Sequence, residues 1–175
     1  MPHVKTSPKL ATSPQAAKPR VKLSWEKFAT VVDDMARLLP THWEEVDVFH
    51  AEAPLKPDWE RYREFEKAGL LYIMTARVGA TLVGYLTVLA YPHLHHKETK
   101  WATVDVMWLH PEYRKGWTGV RMIKHLEKGM QKIGARIVWF AVKKHFKNKN
   151  ARGVGELLAF LGYGEVETVY AKVLK

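Results

Sequence analysis

Apolar residues at Trp25, Phe28, Val32, Met35, Ala36 and Leu39 recur at spacings of three and four, which predicts an amphipathic helix ending before Pro40. Ser24 stands where an N-cap belongs, and Val21-Lys22-Leu23 ahead of it leaves room for a very short strand. The acidic and aromatic stretch 41–50 predicts a helical turn and 53–57 a break. Asp58 then caps a second helix, Trp59 to Lys67, which Gly69 closes. After that the period changes. Leu70 to Val78 and Thr81 to Tyr91 predict a hairpin around Gly79-Ala80, Pro92 to Lys100 a polar connection, and Trp101 to Leu109 the next strand. The helical period returns over Gly119 to Ile133, with Val120, Ile123, Leu126, Met130 and Ile133 on the buried face and Gly134 at the end. Ala135 to Val142 is a continuous apolar run, the mark of a strand covered on both faces. Ala151 to Leu161 reads as a short helix and Gly164 to Leu174 as a last strand.

The strand at 101–109, the helix at 119–133 and the strand at 135–142 make a right-handed βαβ unit, so those two strands run parallel while the earlier ones pair antiparallel. The fold class is α/β, a mixed sheet with helices packed on it. Residues 1–20, rich in Pro, Ser, Ala and Lys with no apolar period, predict a disordered basic tail, and 21–175 a single domain.

Charge sharpens this picture. The net charge of +10 divides into +4 over residues 1–20, −4 over 21–70 and +10 over 71–175. A basic C-terminal half suits an anionic partner, whether a nucleotide cofactor, nucleic acid or a phosphorylated ligand, and the acidic half suits a cationic one. There is no cysteine, which excludes disulfides, thiolate metal sites and a cysteine nucleophile and fits a reducing, cytoplasmic compartment. No apolar run reaches about 18 residues and no signal-peptide core is present, so no membrane partner is expected.

Candidate chemistry concentrates between the strand at 101–109 and the helix at 119–133. The loop Pro111-Glu112-Tyr113-Arg114-Lys115-Gly116-Trp117-Thr118-Gly119 leads a strand into a helix N-terminus. The unpaired N–H groups of a first helical turn and its dipole favour negative charge, so this is an anion site.

The run Met107-Trp108-Leu109-His110-Pro111-Glu112-Tyr113-Arg114-Lys115-Gly116-Trp117-Thr118-Gly119 resembles the signature of the GNAT superfamily of acyl-CoA-dependent N-acyltransferases, and Phe160-Leu161-Gly162-Tyr163 resembles the family's ending of its last helix. The likeness follows element order over about 21–174 and is sharpest at 105–123. The HLHH segment, the Asp105 strand and Glu167 to Lys172 also resemble GNAT proteins encoded by tailed bacteriophages, which implies a host cytoplasm. The resemblance implies a GNAT-like twisted sheet, helices on both faces, whose parallel strands splay to bind acetyl-CoA as co-substrate. It implies that Met107, Trp108 and Leu109 give the strand edge for pantetheine, that backbone N–H groups of Lys115, Gly116, Trp117, Thr118, Gly119 and Val120 cradle the pyrophosphate, and that Arg114, Lys115, the basic loop 143–149 and Asn150 assist the cofactor. Two positions depart from the pattern. Trp117 falls on the first family glycine, with Gly116 one place early, and Leu158 stands where relatives often carry a tyrosine acid.

A neutral amine must attack the thioester, so a base must take a proton. Asp105, the sole acid in its strand, is the first candidate and is expected to share a face with Thr103, Met107 and Leu109. Glu44, Glu45 and His50 lie where the family places its acceptor helix–loop and suit a cationic substrate or a proton relay; His145 suits a cofactor contact or an acid. His95 is a candidate for the acceptor pocket, and Tyr163 and Tyr170 are candidate replacement acids. His93, His95 and His96 have no carboxylate or thiol at fixed spacing, so no metal is expected. Three readings follow: an N-acetyltransferase acting on a primary amine of a small molecule or a protein lysine, in a monomer or homodimer; a GNAT-fold binding or structural protein without catalysis; and a nucleic-acid-binding protein, through the tail and the basic C-terminal half with its Lys143 to Lys149 run.

Overall fold

A computed structural model describes residues 20–47, 49, 51–143 and 152–174. The predicted tail over 1–19, His50, His145 and Asn150 lie outside these residues. Five strands form one sheet in the order β1-β2-β3-β4-β5: β1 (Lys22–Glu26), β2 (Leu71–Val78), β3 (Thr81–His93), β4 (His96–Leu109) and β5 (Ala135–Phe140). The first four pair antiparallel and β4 pairs parallel with β5, as the βαβ reading requires. Helices α1 (Phe28–Val46) and α2 (Trp59–Lys67) precede β2, α3 (Thr118–Lys132) joins β4 to β5, and α4 (Arg152–Phe160) follows β5. The sheet separates two cores. Phe28, Val31, Met35, Ile73, Tyr85 and Trp108 pack on the α1 and α2 side. Met74, Leu86, Val88, Ala102, Val104, Leu109, Met122, Leu126 and Met130 pack on the α3 side.

Several boundaries differ from the sequence reading. Ser24 caps nothing: 22–26 is a full strand, because Leu23 and Trp25 alternate into the α3-side core while Ser24, Glu26, Thr75 and Arg77 bond across the β1–β2 pair. Trp25 thus belongs to the strand. Helix α1 starts at Phe28, after Lys27, which gives it no side-chain cap. Its first N–H instead goes to Glu66 Oε1 of α2 at 2.8 Å, so a partner helix supplies the cap. Pro40 does not stop α1. It removes one backbone donor, yet the helix continues to Val46 because His42 and Glu45 beyond it are held by tertiary bonds. Asp58 caps α2 as expected, accepting from Arg61 N at 3.0 Å.

The expected polar connection 92–100 is mostly strand, since β3 runs to His93 and β4 starts at His96. An aromatic ladder supports it: His93 stacks on Trp101 at 4.1 Å and Trp101 on Trp139 at 5.5 Å. The expectation that β5 is covered on both faces is wrong. It ends the sheet, and Arg136 and Ile137 are exposed. The expected last strand, 164–174, has no regular structure. Its apolar residues fall at Val166, Val169, Tyr170, Val173 and Leu174, alternating spacings of three and one, so neither side of a strand would collect them, and all five are exposed. On α3 the buried residues are Met122, Ile123, Leu126 and Met130; Val120 and Ile133 are half-buried.

Candidate active site

The site grows from an irregularity in β4. Its ladder with β3 slips between Thr87 and Val88: Val88 faces Val104 and Thr87 faces Val106. Asp105 is the extra residue of a β-bulge, which reverses the alternation beyond it. Val104 before the bulge and Met107 and Leu109 after it all pack on the α3 side, whereas Val106 and Trp108 pack on the α1 side. Asp105 accepts a hydrogen bond from Thr87 Oγ1 at 3.2 Å. Its charge helps raise Tyr62, to about 12, and Tyr85, both lifted chiefly by burial. Asp105 therefore lies on the α1 and α2 side with Trp108. The expected face shared with Met107 and Leu109 is corrected, because a period-two argument fails across a bulge.

The same point ends the parallel pairing. The last β4–β5 pair is Val104 with Phe140; from Asp105 to Leu109, β4 keeps β3 on one side and, among the described residues, has no strand on the other. Met107, Trp108 and Leu109 thus stand on a strand edge that is open among the described residues. Trp108 and Leu109 have buried side chains.

Beyond Leu109 the chain makes a short 3-10 turn, Pro111–Tyr113. Arg114 then folds back: its Nε donates to the Leu109 carbonyl at 2.6 Å and its guanidinium forms a two-pronged pair with Glu45. Glu45 also accepts from Trp108 Nε1 at 2.8 Å. The Arg114 hydrogen bonds hold the Glu45 carboxyl below its ordinary range. Arg114, expected to lend charge to a phosphate, is neutralised by Glu45 instead, and Glu45, expected as a relay or acceptor ligand, is a fixed anion tying α1 to the loop. Behind them, buried His42 shares a hydrogen bond with Tyr85 Oη at 2.8 Å. Burial, then the Lys143 charge, pushes His42 down to about 4, so it is neutral. Sequence reasoning missed His42 and Tyr85. The signal was present: His42 continues the stripe of Phe28 and Met35 at steps of seven, with Val31 eleven residues before it on the same face, provided the helix passes through Pro40.

Gly116 adopts φ +87°, a left-handed turn that a side chain resists. It supplies the conformational freedom that the sequence pattern sought at Trp117. Trp117 ends the loop with its side chain 65% exposed, and gives α3 no side-chain cap. Lys115 is also exposed, while Thr118 and Val120 sit half-buried in the first turn. At Gly119 an added Cβ would lie 3.1 Å from Leu157 Cδ2, so this glycine brings the α3 N-terminus against α4. Leu158 is buried in α4 and carries no acid. Tyr163 packs edge-on to Phe140, and burial, with the Glu127 charge next, raises its pKa; Tyr170 is fully out in solvent at 90% exposure. Glu44 is exposed, and His95 lies in the exposed turn of the β3–β4 hairpin, away from the bulge. Among the described residues no group of three His, Cys, Asp or Glu side chains could hold a metal ion, and no helix is long and apolar enough to cross a membrane.

The acetyltransferase (GNAT) family model matches residues 33–160, which covers the bulged strand, the loop and the start of α3. The chain belongs to the GNAT acetyltransferase family. Acetyl-CoA is the family's acyl donor. No curated protein sequence matches the chain. Solved GNAT structures share its fold at low identity. An aminoglycoside acetyltransferase from an uncultured soil metagenomic sample superposes with a TM-score of 0.71 at 13% identity, over 89% of this chain and 99% of that one. A ribosomal-protein-alanine N-acetyltransferase from Brucella melitensis gives 0.64 at 15%, over 89% and 100%. A predicted acetyltransferase from Clostridium acetobutylicum, solved with acetyl-CoA, gives 0.64 at 11%, over 88% and 96%.

Proposed function

We propose that residues 21–175 form an N-acetyltransferase that moves the acetyl group of acetyl-CoA directly to a primary amine, with Asp105 as general base. The observation that carries this reading is the coincidence, at one residue, of the bulge, the end of the β4–β5 ladder and an exposed carboxylate. The pantetheine arm lies along the edge of Met107 to Leu109, and the pyrophosphate meets the N–H groups from Lys115 to Val120, where Gly116 makes the turn. The amine nitrogen attacks the thioester carbonyl carbon, Asp105 takes the proton that the nitrogen sheds, and the C–S bond breaks as the thiolate leaves and is protonated. Glu45 and Arg114 act at one remove, fixing Trp108 and the loop.

The acceptor is a cationic amine. The acidic stretch 41–66 favours one, and the aminoglycoside enzymes among the structural neighbours, one solved with sisomicin, favour a small polyamine-like molecule over a protein lysine. The non-catalytic reading loses one support, since Trp117 turns outward and Gly116 makes the turn, and keeps the other in Leu158.

Calorimetric titration with acetyl-CoA is the first test; no heat at about 1 mM cofactor would sink the reading. A panel of amino sugars, polyamines and lysine peptides, followed by thiol release, is the second. Asp105→Asn is expected to leave acetyl-CoA binding intact and to lower transfer by about 100-fold or more. Unchanged transfer removes Asp105 from the base role.

A further inference from the structure

A groove of about 610 Å³ lies between the start of β1 and one flank of α3, away from the acetyl-transfer site. Arg20, Lys22, Arg121, Lys124, His125 and Lys128 line it together with Val21 and Leu23, so every polar residue in the lining is basic. The four α3 residues follow spacings of three and four, which puts them on one flank over about 10 Å of helix. This flank is not the cofactor flank. Gly119 faces Leu157 of α4, and Arg121, two residues on, points about 200° around the helix from it.

The groove is built rather than accidental. Arg121 Nη2 donates to the Val21 carbonyl at 2.8 Å, which fixes the guanidinium between the strand and the helix. The His125 ring stacks on Trp25 at 5.8 Å, and Trp25 is pressed against Gly129, where an added Cβ would come within 2.4 Å of the indole. His125 Nε2 is buried without a hydrogen-bond partner. Burial lowers the pKa of His125, and the charges of Lys132, Lys128 and Arg121 lower it further. Lys124 pairs with Glu127 at 3.0 Å on the solvent side.

One phosphate group would occupy two or three of these donors. A row of cations running from β1 along two turns of α3 matches instead a ligand with negative charges repeated at short intervals, one per about 3.4 Å along each strand of a duplex. The lining carries no exposed aromatic platform and no amide side chain to read a base edge. We propose that this groove is a second binding site, separate from acetyl transfer, and that it holds the phosphodiester backbone of nucleic acid without reading its sequence.

The test is fluorescence anisotropy of the full chain with a fluorescein-labelled DNA duplex of mixed sequence, across a salt series. Contacts from the five permanent cations give a log–log salt slope of about −4 to −5. Lys22 and Lys128 are exposed, so Lys22→Glu/Lys128→Glu removes charge without opening a core. In that variant affinity falls about tenfold or more, the slope shrinks by about two, and the acetyl-CoA titration is unchanged. Lys22→Gln/Lys128→Gln moves both quantities the same way by less. A scrambled duplex binds equally well. Three results would overturn the proposal: no binding at about 50 mM salt, equal binding by wild type and the charge-reversed variant, or displacement of the duplex by acetyl-CoA, which would mean a single shared site.

Discussion

From His96 to Val104, β4 has β3 on one side and, from Lys100, β5 on the other; from Asp105 to Leu109 it has, among the described residues, β3 alone. From Lys100 to Val104 the register with β3 is unbroken, Ala102 and Val104 fill the α3-side core, and aromatic stacking ties the strand to its neighbours. In the second half backbone groups lose a strand partner and side chains take over. Trp108, Glu45 and Arg114 bond to one another, and Arg114 returns to the Leu109 carbonyl. The lesson is that a strand can be opened for a ligand only where something else holds it in place. Here that something is a helix, α1, packed on the same face of the sheet as Trp108.

Breaking the open half at its centre is expected to have the largest effect. Trp108→Ala empties a buried site and removes the donor that Glu45 uses, at about 3–5 kcal/mol by urea denaturation. Val104→Ala, in the paired half, costs roughly 2 kcal/mol or less because only packing is lost. Equal losses would erase the contrast.

The next effect is one of pH. His42 sits behind the open half with a pKa of about 4, against 6.5 when unfolded. Because the folded value is the lower one, the stability contributed by neutral His42 is whole above pH 6.5 and is lost as pH falls from 6.5 toward about 4, roughly 3 kcal/mol in all. His42→Gln keeps a partner for Tyr85 and should flatten that window. The lowered carboxyls of Glu26 and Glu45 act further down: their contribution is present above pH 4.5 and is lost as pH falls below it.

Smaller still, Glu45→Gln leaves Arg114 with an uncharged partner and is expected to cost about 1.5–3 kcal/mol. Paired with Trp108→Phe in a double-mutant cycle, it should show a coupling of at least about 0.5 kcal/mol. Additivity would mean that the three side chains do not act as a unit. The smallest change is Gly116→Ala, which forces a side chain into a left-handed turn for about 1 kcal/mol and should weaken acetyl-CoA binding more than it destabilises the fold.

Much of this was legible in the chain. The βαβ unit, α2 with its Asp58 cap and the β2–β3 hairpin follow from period and turn chemistry, because each rests on neighbours in sequence. The loop and the helix start that it leads into were legible for the same reason. The partners of Arg114 and Glu45 were not, because they lie 69 residues apart. Nor was the direction of Asp105, since a bulge is a property of the register between two strands and not of either alone. The final segment misled in the opposite way: enough apolar residues for a strand, at spacings that no single face can bury.

The sequence by itself determined the element types, the parallel pair, the glycine turn and the concentration of positive charge, because these depend on local periodicity, backbone freedom and composition. Only the tertiary structure decided what caps α1, why it runs through Pro40, which face Asp105 takes and where the cations gather. Each of these is a contact between residues far apart in the chain, whose energy exists only once the sheet has brought them together.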